Sequence, residues 1–206
     1  GTPGALPRTF VRSLPTDNPA TDPQYLDQLD LLDRVTRAQK KHGDWLIKPG
    51  KGEYFQRPWW RYLDEAPPRS SWRRAVRAWD FAGSKAGDWT VGILYLHVPT
   101  CITPWIIADM IRFRGTPGEV LKTVLATAEA DGKDVEISIP QDPGQAGKYQ
   151  ADDYVAKLSG YAVKTERPTG DKVTRAKPHS PQVEHGFVAL VRAAWNNVLV
   201  EEHQDL

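Results

Sequence analysis

The spacing of hydrophobic and polar positions changes near residue 71, and three strands are predicted directly after it. Polar and apolar residues alternate over residues 74–82, and the segments 89–98 (WTVGILYLHV) and 105–113 (WIIADMIRF) are rich in β-branched and aromatic residues. Such short, bounded runs are typical of strands. Because they follow one another closely in the chain, we expect them to form a meander of antiparallel neighbours.

From residue 117 onward helical and extended patterns alternate. Pro117 suits the first turn of a helix, and Pro140 ends a short apolar strand. Helices are predicted over residues 117–130, 147–159, 173–184 and 195–203, and further strands over 135–139, 161–165 and 187–191. This order predicts an α/β fold, a mixed central sheet with helices on both faces. It resembles the ribonuclease H-like fold, although a fold alone does not fix a function.

The first 70 residues are a different kind of segment. Five prolines interrupt residues 1–23, and a polar helix is predicted near residues 24–41. A cluster of aromatic residues follows: Trp45, Tyr54, Phe55, Trp59, Trp60 and Tyr62. These rings either pack the segment onto a neighbouring domain or stack on DNA bases. We therefore divide the chain into an irregular and helical segment, 1–70, and an α/β domain, 71–206.

The composition excludes few classes of function. The 206 residues are 40% hydrophobic and 26% charged, and a formal net charge of +1 neither requires nor excludes nucleic acid as a partner. The single cysteine, Cys101, cannot form an internal disulfide. No apolar run approaches the ~18–20 residues of a membrane span, and the start of the chain does not resemble a signal peptide. An intracellular protein is expected.

Two aspartates come at or near the ends of predicted strands. Asp80 lies near the end of the first core strand, in WDFA, and Asp142 follows the fourth, in IPQDPG. In α/β sheets ligands gather beyond the carboxyl ends of strands, so the two carboxylates converge if these strands are neighbours. Converging carboxylates repel each other unless a cation lies between them, and their oxygen atoms suit Mg²⁺ or Mn²⁺.

Such a pair fits phosphodiester hydrolysis by two metal ions about 3.5–4 Å apart, one activating water and the other stabilising the leaving oxygen. Spacing alone leaves a second interpretation open, in which Asp80 is a strand-end turn residue and Asp142 caps a helix or forms an Asx-turn. Other chemistry is not indicated. The segment GQAGKY lacks the phosphate-loop spacing, and the five histidines do not pair at zinc-ligand spacing.

Five strings in one order resemble a known family. RAWDFA, GDWTVGI, RFRGTPGEV, IPQDPGQAGK and PTGDKVTRA are similar to motifs of the C-terminal nuclease domain of tailed-phage large terminase subunits. KKHGDWLI resembles the segment that joins the motor ATPase domain to that nuclease. The resemblance covers most of residues 71–206 and, more loosely, 1–70, which would be a linker or hinge from the end of the ATPase domain. It implies a ribonuclease H-like fold and divalent-metal cleavage of double-stranded DNA.

The resemblance also implies roles for individual acids. Asp80 and Asp142 match metal-binding aspartates, and Asp88 in the GDxT string matches a supporting acid, although a hairpin-turn role for Asp88 stays open. The family's third metal-binding aspartate comes after the terminal helix. It is expected beyond Leu206, since Asp205 does not match that string. The metal site of this chain is therefore expected to be incomplete.

Basic residues near these strings are candidates for DNA contact. Lys172 and Arg175 begin a predicted helix in GDKVTRA, and the resemblance suggests a role near the scissile phosphate or in gripping the backbone. A solvated helix start is the other interpretation. Lys148 follows the Asp142 loop and is a third candidate. Arg112 and Arg114 flank a turn and are predicted to be surface residues.

The leading hypothesis is the Mg²⁺- or Mn²⁺-dependent endonuclease domain of a DNA-packaging terminase. Its partners would be double-stranded DNA and, in the full motor, the small terminase subunit and the capsid portal. It would act in the host cell cytoplasm, away from membranes, and as a monomer when isolated. The first alternative is a catalytically inactive module that binds DNA or the portal. The second, a resolvase- or transposase-like strand cutter, fits the ordered motifs less well.

Overall fold

The computed structural model describes residues 11–48, 50, 52–82, 88–167 and 169–206, and these form a seven-stranded mixed sheet. The strands are β1 (Arg61–Leu63), β2 (Arg74–Asp80), β3 (Thr90–His97), β4 (Trp105–Phe113), β5 (Glu136–Pro140), β6 (Val163–Glu166) and β7 (Val188–Val191). Their spatial order is β1-β7-β4-β3-β2-β5-β6. β3 runs antiparallel to β2 and β4, and the other neighbouring pairs are parallel. The predicted meander of three strands is confirmed.

Helices connect and cover these strands. They are α1 (Pro23–Asp30), α2 (Arg34–His42), α3 (Pro117–Asp131), α4 (Gln145–Lys157), α5 (Lys172–Ala176), α6 (Ser180–Glu184) and α7 (Asn196–Gln204). A capping box of Thr116 and Glu119 starts α3, with Pro117 in its first turn as predicted. Within the described ranges, no helix combines the length and apolar character that a membrane crossing requires.

Alternation along β2 separates the two faces of the sheet. Ala75, Arg77 and Trp79 are buried on one face, whereas Ala78 and Asp80 point to the other and are exposed. The last two residues of β2 are therefore a core residue, Trp79, and a candidate site residue, Asp80.

The first face packs against α3 and α4. Trp79 and Ile139 of the sheet join Val124 of α3 and Tyr154 of α4 in one core cluster. The second face has a separate core near β7, where Leu190 packs with Leu199 of α7 and with rings from the N-terminal segment. Helical cover on both faces is what the sequence pattern predicted.

Arg77 is a buried charge on the α3-covered face, with 3% of its surface exposed. Its Nε and Nη2 atoms donate to the two carboxylate oxygens of Asp131 at 2.7 and 2.8 Å. Its Nη1 donates to Asp109 at 2.8 Å and to the carbonyl oxygen of Gly92 at 3.2 Å. The guanidinium therefore ties β2 to β4 and to the end of α3.

The N-terminal segment takes part in the fold more than its sequence suggested. Its short strand β1 pairs with β7 and was not predicted. Tyr54, Phe55 and Trp60 are buried in the core beside β7, which agrees with packing and makes base stacking wrong for these three rings. Trp45 is exposed. The irregular start predicted for residues 1–10 and the turn expected at Gly87 lie outside the described residues.

Two helices predicted as continuous are each divided. The helix expected over residues 24–41 breaks where Asp33 accepts a hydrogen bond from the backbone N–H of Thr36 and caps α2. The helix expected over 173–184 becomes α5 and α6, because Pro178 interrupts it and Pro181 then suits the first turn of α6.

Candidate active site

β2 and β5 bring the two predicted acids to the same edge of the sheet. The strands are parallel neighbours. Asp80 is the last residue of β2, and Asp142 follows β5 directly after Gln141. The condition for convergence, adjacency of these two strands, is therefore met.

Close packing fixes the end of β2. Trp79, next to Asp80, lies so near Gly92 of β3 that a Cβ there would come within 2.6 Å of the indole. Beyond the strand, the backbone N–H of Ala82 donates to the hydroxyl of Thr90 at 3.2 Å. Thr90 is buried and is the threonine of the GDxT string. That threonine holds the chain just after Asp80.

The loop that carries Asp142 is held on two sides. The backbone N–H of Gln141 donates to the carbonyl oxygen of Glu166 on β6 at 2.8 Å. Gly147 of α4 packs on the backbone of Asp142, where a Cβ would overlap the carbonyl oxygen. The glycine in the GQAGKY segment therefore serves close packing of helix on loop.

Helix α5 starts at the same edge of the sheet. The carboxylate of Asp171 accepts the backbone N–H of Thr174 at 2.6 Å, and this hydrogen bond holds the pKa of Asp171 below its usual value. The cap places Lys172 at the first helical position and Arg175 on the next turn.

These elements enclose one open cavity of about 600 Å³, lined by Asp80, Asp142, Lys172 and Arg175 among others. Four of the six predicted site residues therefore come together. Lys148 lies in an adjoining cavity of about 540 Å³ that also contains Asp142. Both cavities are partly open to solvent.

Asp88 is not part of either cavity lining. It is exposed in the bend before β3. Its place in the site stays a prediction.

Sequence reasoning missed Glu166 and Arg167, which line the main cavity at the end of β6. Pro140 pairs with Glu166, so this strand end lies beside the Asp142 loop. The rule used for Asp80 would have found both residues, but the predicted strand stopped one residue short. Glu166 forms an ion pair with Lys164 at 2.9 Å.

A second cavity of about 420 Å³ shares Asp80, Lys172 and Arg175 and extends toward α7. His179 and His203 line it. Burial lowers the pKa of His179 to about 4 and also lowers that of His203. Both imidazoles are therefore neutral at pH 7, and they serve as packing groups rather than as cations.

Four charged side chains of the main cavity, those of Asp80, Asp142, Lys172 and Arg175, lack an ionic partner among the described residues. Across the described part of the chain, the carboxylates of Asp80 and Asp142 form no hydrogen bond or ion pair, and Lys172 and Arg175 bond no acid. Because these opposite charges share a cavity without pairing, their hydrogen-bond donors and acceptors are available to a ligand.

The donor chemistry fits a hard divalent cation in part. Asp80 and Asp142 supply carboxylate oxygens, the ligands that Mg²⁺ and Mn²⁺ prefer. In the residues that the structure describes, no group of three His, Cys, Asp or Glu side chains is arranged to hold a metal. Two carboxylates suit an ion that keeps several of its waters, as Mg²⁺ commonly does.

Solved phage terminases share this fold. The large terminase of one thermophilic bacteriophage, in complex with ADP, gives a TM-score of 0.60 at 12% identity, covering 91% of this chain and 45% of that one. The large terminase nuclease of thermophilic phage G20c with bound zinc gives 0.52 at 16% identity, covering 72% and 84%. The same nuclease with bound cobalt gives 0.50 at 14% identity, covering 71% and 76%. The chain thus spans less than half the length of the ADP-bound large terminase.

Sequence comparison agrees with the structural one. No curated protein matches the chain. The model of the family described as Terminase RNaseH-like domain matches residues 77–205, which run from the middle of β2 past the end of β7 and include every predicted site residue. The ribonuclease H-like fold and the similarity to terminase nuclease domains, both predicted from the sequence, are confirmed, and the chain belongs to the terminase ribonuclease H-like domain family.

Proposed function

We propose that this domain is a Mg²⁺- or Mn²⁺-dependent endonuclease that cuts double-stranded DNA during genome packaging. One observation carries the proposal: Asp80 and Asp142 end neighbouring parallel strands and line one cavity with Lys172 and Arg175, all four without a protein partner among the described residues. Membership of the terminase family supplies the setting, a DNA-packaging motor.

Each residue has a distinct task in this proposal. Asp80 and Asp142 hold divalent metal, which when bound lowers the pKa of an attacking water and stabilises the leaving oxygen. Lys172 and Arg175 neutralise phosphate charge beside the acids, which gives salt-dependent binding without sequence preference. Lys148 contacts the backbone beyond Asp142.

The proposal includes two further metal ligands that do not line the main cavity. Asp88 would act through water or after movement of the bend before β3. The third acid expected from the resemblance would follow Leu206, and Leu206 itself lines the second cavity with Asp80. The zinc and cobalt ions in the G20c nuclease support the use of a divalent metal. The choice of Mg²⁺ or Mn²⁺ rests on the oxygen ligands.

A second candidate function is a module that binds DNA or the capsid portal without cutting. The arrangement that favours it is the lack, within the described ranges, of three grouped metal ligands. In both functions we place the protein in the host cell cytoplasm, with the small terminase subunit and the portal as partners of the full motor.

Plasmid cleavage in Mn²⁺ and in Mg²⁺ separates the two. Asp80→Ala and Asp142→Asn are compared with Asp153→Asn, an exposed acid of α4 paired with Lys157. We expect the first two variants to lose about 100-fold or more in rate, roughly 2.7 kcal/mol of transition-state stabilisation, and the control to keep its rate.

DNA binding without cleavage, in every metal tested, would support the inactive module instead. Full activity of Asp80→Ala would show that the site is misplaced. Where the gene continues beyond Leu206, the same variants are compared in the longer protein, because the third acid is expected there.

A further inference from the structure

Trp89, Arg112 and Arg114 form a stack at the active-site edge of the sheet. The guanidinium carbon of Arg112 lies 3.8 Å from the centroid of the Trp89 ring, and that of Arg114 lies 4.4 Å from it. Both distances are well inside the ~6 Å at which a cation is attracted to an aromatic face. One indole thus gathers two positive charges.

The sheet register places this stack beside the acids. Asp80 pairs with Val91 of β3, and Val91 pairs with Arg112 of β4. Two strand spacings separate Asp80 from Arg112, which is about 10 Å. Trp89 precedes β3 and Arg114 follows β4, so both lie at the edge where β2 ends. Asp142 lies on the opposite side of β2, since β5 flanks it there.

Arg112 and Arg114 differ in whether an acid of the protein pairs with the guanidinium group. Arg112 is partly buried, with 23% of its side chain exposed, and its Nη2 donates to Glu202 of α7 at 2.8 Å. Arg114 is exposed and has no acidic partner within the described ranges. Trp89 itself is 37% exposed. Arg112 therefore anchors the stack, and Arg114 leaves its donors to solvent.

Holding two like charges on one ring is unfavourable unless an anion compensates them. Glu202 neutralises one charge, and the second stays uncompensated among the described residues, at the edge of the sheet where β2 ends. An arginine kept in place by an indole has lost part of its rotamer freedom before a ligand arrives, so less entropy is lost when it binds. Planar guanidinium donors match the oxygens of a phosphate.

We propose that Arg114, presented on Trp89 and Arg112, binds a backbone phosphate of the DNA on the side of Asp80 away from Asp142. This inference rests on the proposed function and adds a contact to it. A span of about 10 Å equals roughly three times the ~3.4 Å that separates successive phosphates of one strand along the duplex axis. DNA that contacts Lys172 and Arg175 at the acids would therefore extend across β3 and β4 to this stack.

The test is DNA binding over a salt series, measured by fluorescence anisotropy on a duplex of about 30 base pairs in EDTA, so that no cutting occurs. Arg114→Ala removes the phosphate contact. Trp89→Phe keeps an aromatic face. The matched control is Arg69→Ala, since Arg69 also stacks on an indole, that of Trp72, 5.1 Å away and before the start of β2 at the other end of the sheet.

We expect Arg114→Ala to weaken binding about 5- to 20-fold and to reduce the slope of log affinity against log salt by about 0.9, the share of one phosphate contact. Trp89→Phe keeps most of the affinity, and Arg69→Ala keeps both affinity and slope. In cleavage assays Arg114→Ala raises KM and changes kcat little, because it acts on binding.

Two outcomes overturn different claims. If the wild type binds and cuts DNA while Arg114→Ala keeps the full salt slope, the inference is wrong and the proposed function stands. If the folded wild type neither binds nor cuts DNA at low salt, the proposed function itself fails. Thermal unfolding of each variant verifies that binding is compared between folded proteins.

Discussion

Strand β2 carries Arg77 and Asp80 three positions apart, and the fold treats these two charges in opposite ways. Arg77 is buried on the α3-covered face, where two acids take up its donors. Asp80 lies on the other face at the strand end, exposed and without a bonded partner among the described residues. An odd separation along a strand puts side chains on opposite faces, so a single strand can hold one charge that the fold pairs and one that it leaves unpaired.

The two residues differ in whether other groups of the protein use their hydrogen-bonding capacity. Burial alone lowers the pKa of Arg77, but hydrogen bonds and charge from Asp131 and Asp109 outweigh burial and raise it. The guanidinium of Arg77 donates its hydrogen bonds to groups inside the fold. The carboxylate of Asp80 stays free to bind a ligand, as do the charged groups of Asp142, Lys172 and Arg175, which line the same cavity.

The largest expected effect on stability comes from removing the charge of Arg77, and it is compared with the effect of removing the charge of Asp80. Arg77→Met leaves Asp109 and Asp131 facing each other without a cation, and we expect it to lower the free energy of unfolding by about 3–5 kcal/mol. Asp80→Asn removes an exposed charge, so it should change stability by less than about 0.5 kcal/mol while abolishing cleavage. Urea unfolding followed by circular dichroism measures both.

A double variant checks the cause. Asp131→Asn placed on Arg77→Met removes one of the stranded acids and should recover part of the loss. The comparison breaks if Asp80→Asn destabilises the fold as much as Arg77→Met does, because Asp80 would then be a structural charge as well.

His179 extends the comparison of Arg77 with Asp80. It is a titratable group that shares a cavity with Asp80 and that the fold keeps uncharged. Its pKa is lowered from 6.5 to about 4 by burial and by the nearby His203. The unfolded chain therefore binds a proton more readily, and this contribution to stability is complete above about pH 6.5 and is lost as the pH falls toward 4. The loss is at most about 3–4 kcal/mol.

Urea unfolding between about pH 7 and 5 measures that dependence before most carboxylates titrate. We expect His179→Phe to flatten the pH dependence, since a phenyl ring fits among Phe55, Trp60 and Tyr95. His185→Asn, at an exposed histidine, should leave it unchanged. An unaltered slope in His179→Phe would contradict the role given to burial of this imidazole.

Much of the core fold was predictable, because it depends on local pattern. The bounds of β4 match the prediction, and β2, β3, α3 and β5 differ by one or two residues. β1 was not predictable, since three residues carry no periodicity and their strand exists through pairing with β7. Pro178 and Asp33 mark the positions at which two helices predicted as continuous are divided.

The candidate site was predictable where it followed from strand ends. Asp80 and Asp142 were placed by the rule that carboxyl ends of parallel strands share an edge, and the structure makes their strands neighbours. The packing that positions them was not predictable. The contact of Gly147 with the Asp142 backbone, and the buried network of Arg77, both join residues whose proximity depends on the completed sheet.

A smaller loss of stability than at Arg77 is expected at Gly147, and it tests whether packing or charge places Asp142. Because a Cβ at this position meets backbone, which cannot rotate away, Gly147→Ala must shift either α4 or the Asp142 loop. We expect a loss of about 1–3 kcal/mol in stability and a fall in cleavage of up to about 100-fold, since a displacement near 1 Å can cost that much. Gly118→Ala in α3 is the matched control, because a Cβ there meets open space, and it should gain about 0.4–1 kcal/mol with unchanged cleavage. If Gly147→Ala cuts DNA at the wild-type rate, the precise position of Asp142 is not what the reaction depends on, and the acid would act as a charge in the cavity rather than as a metal ligand.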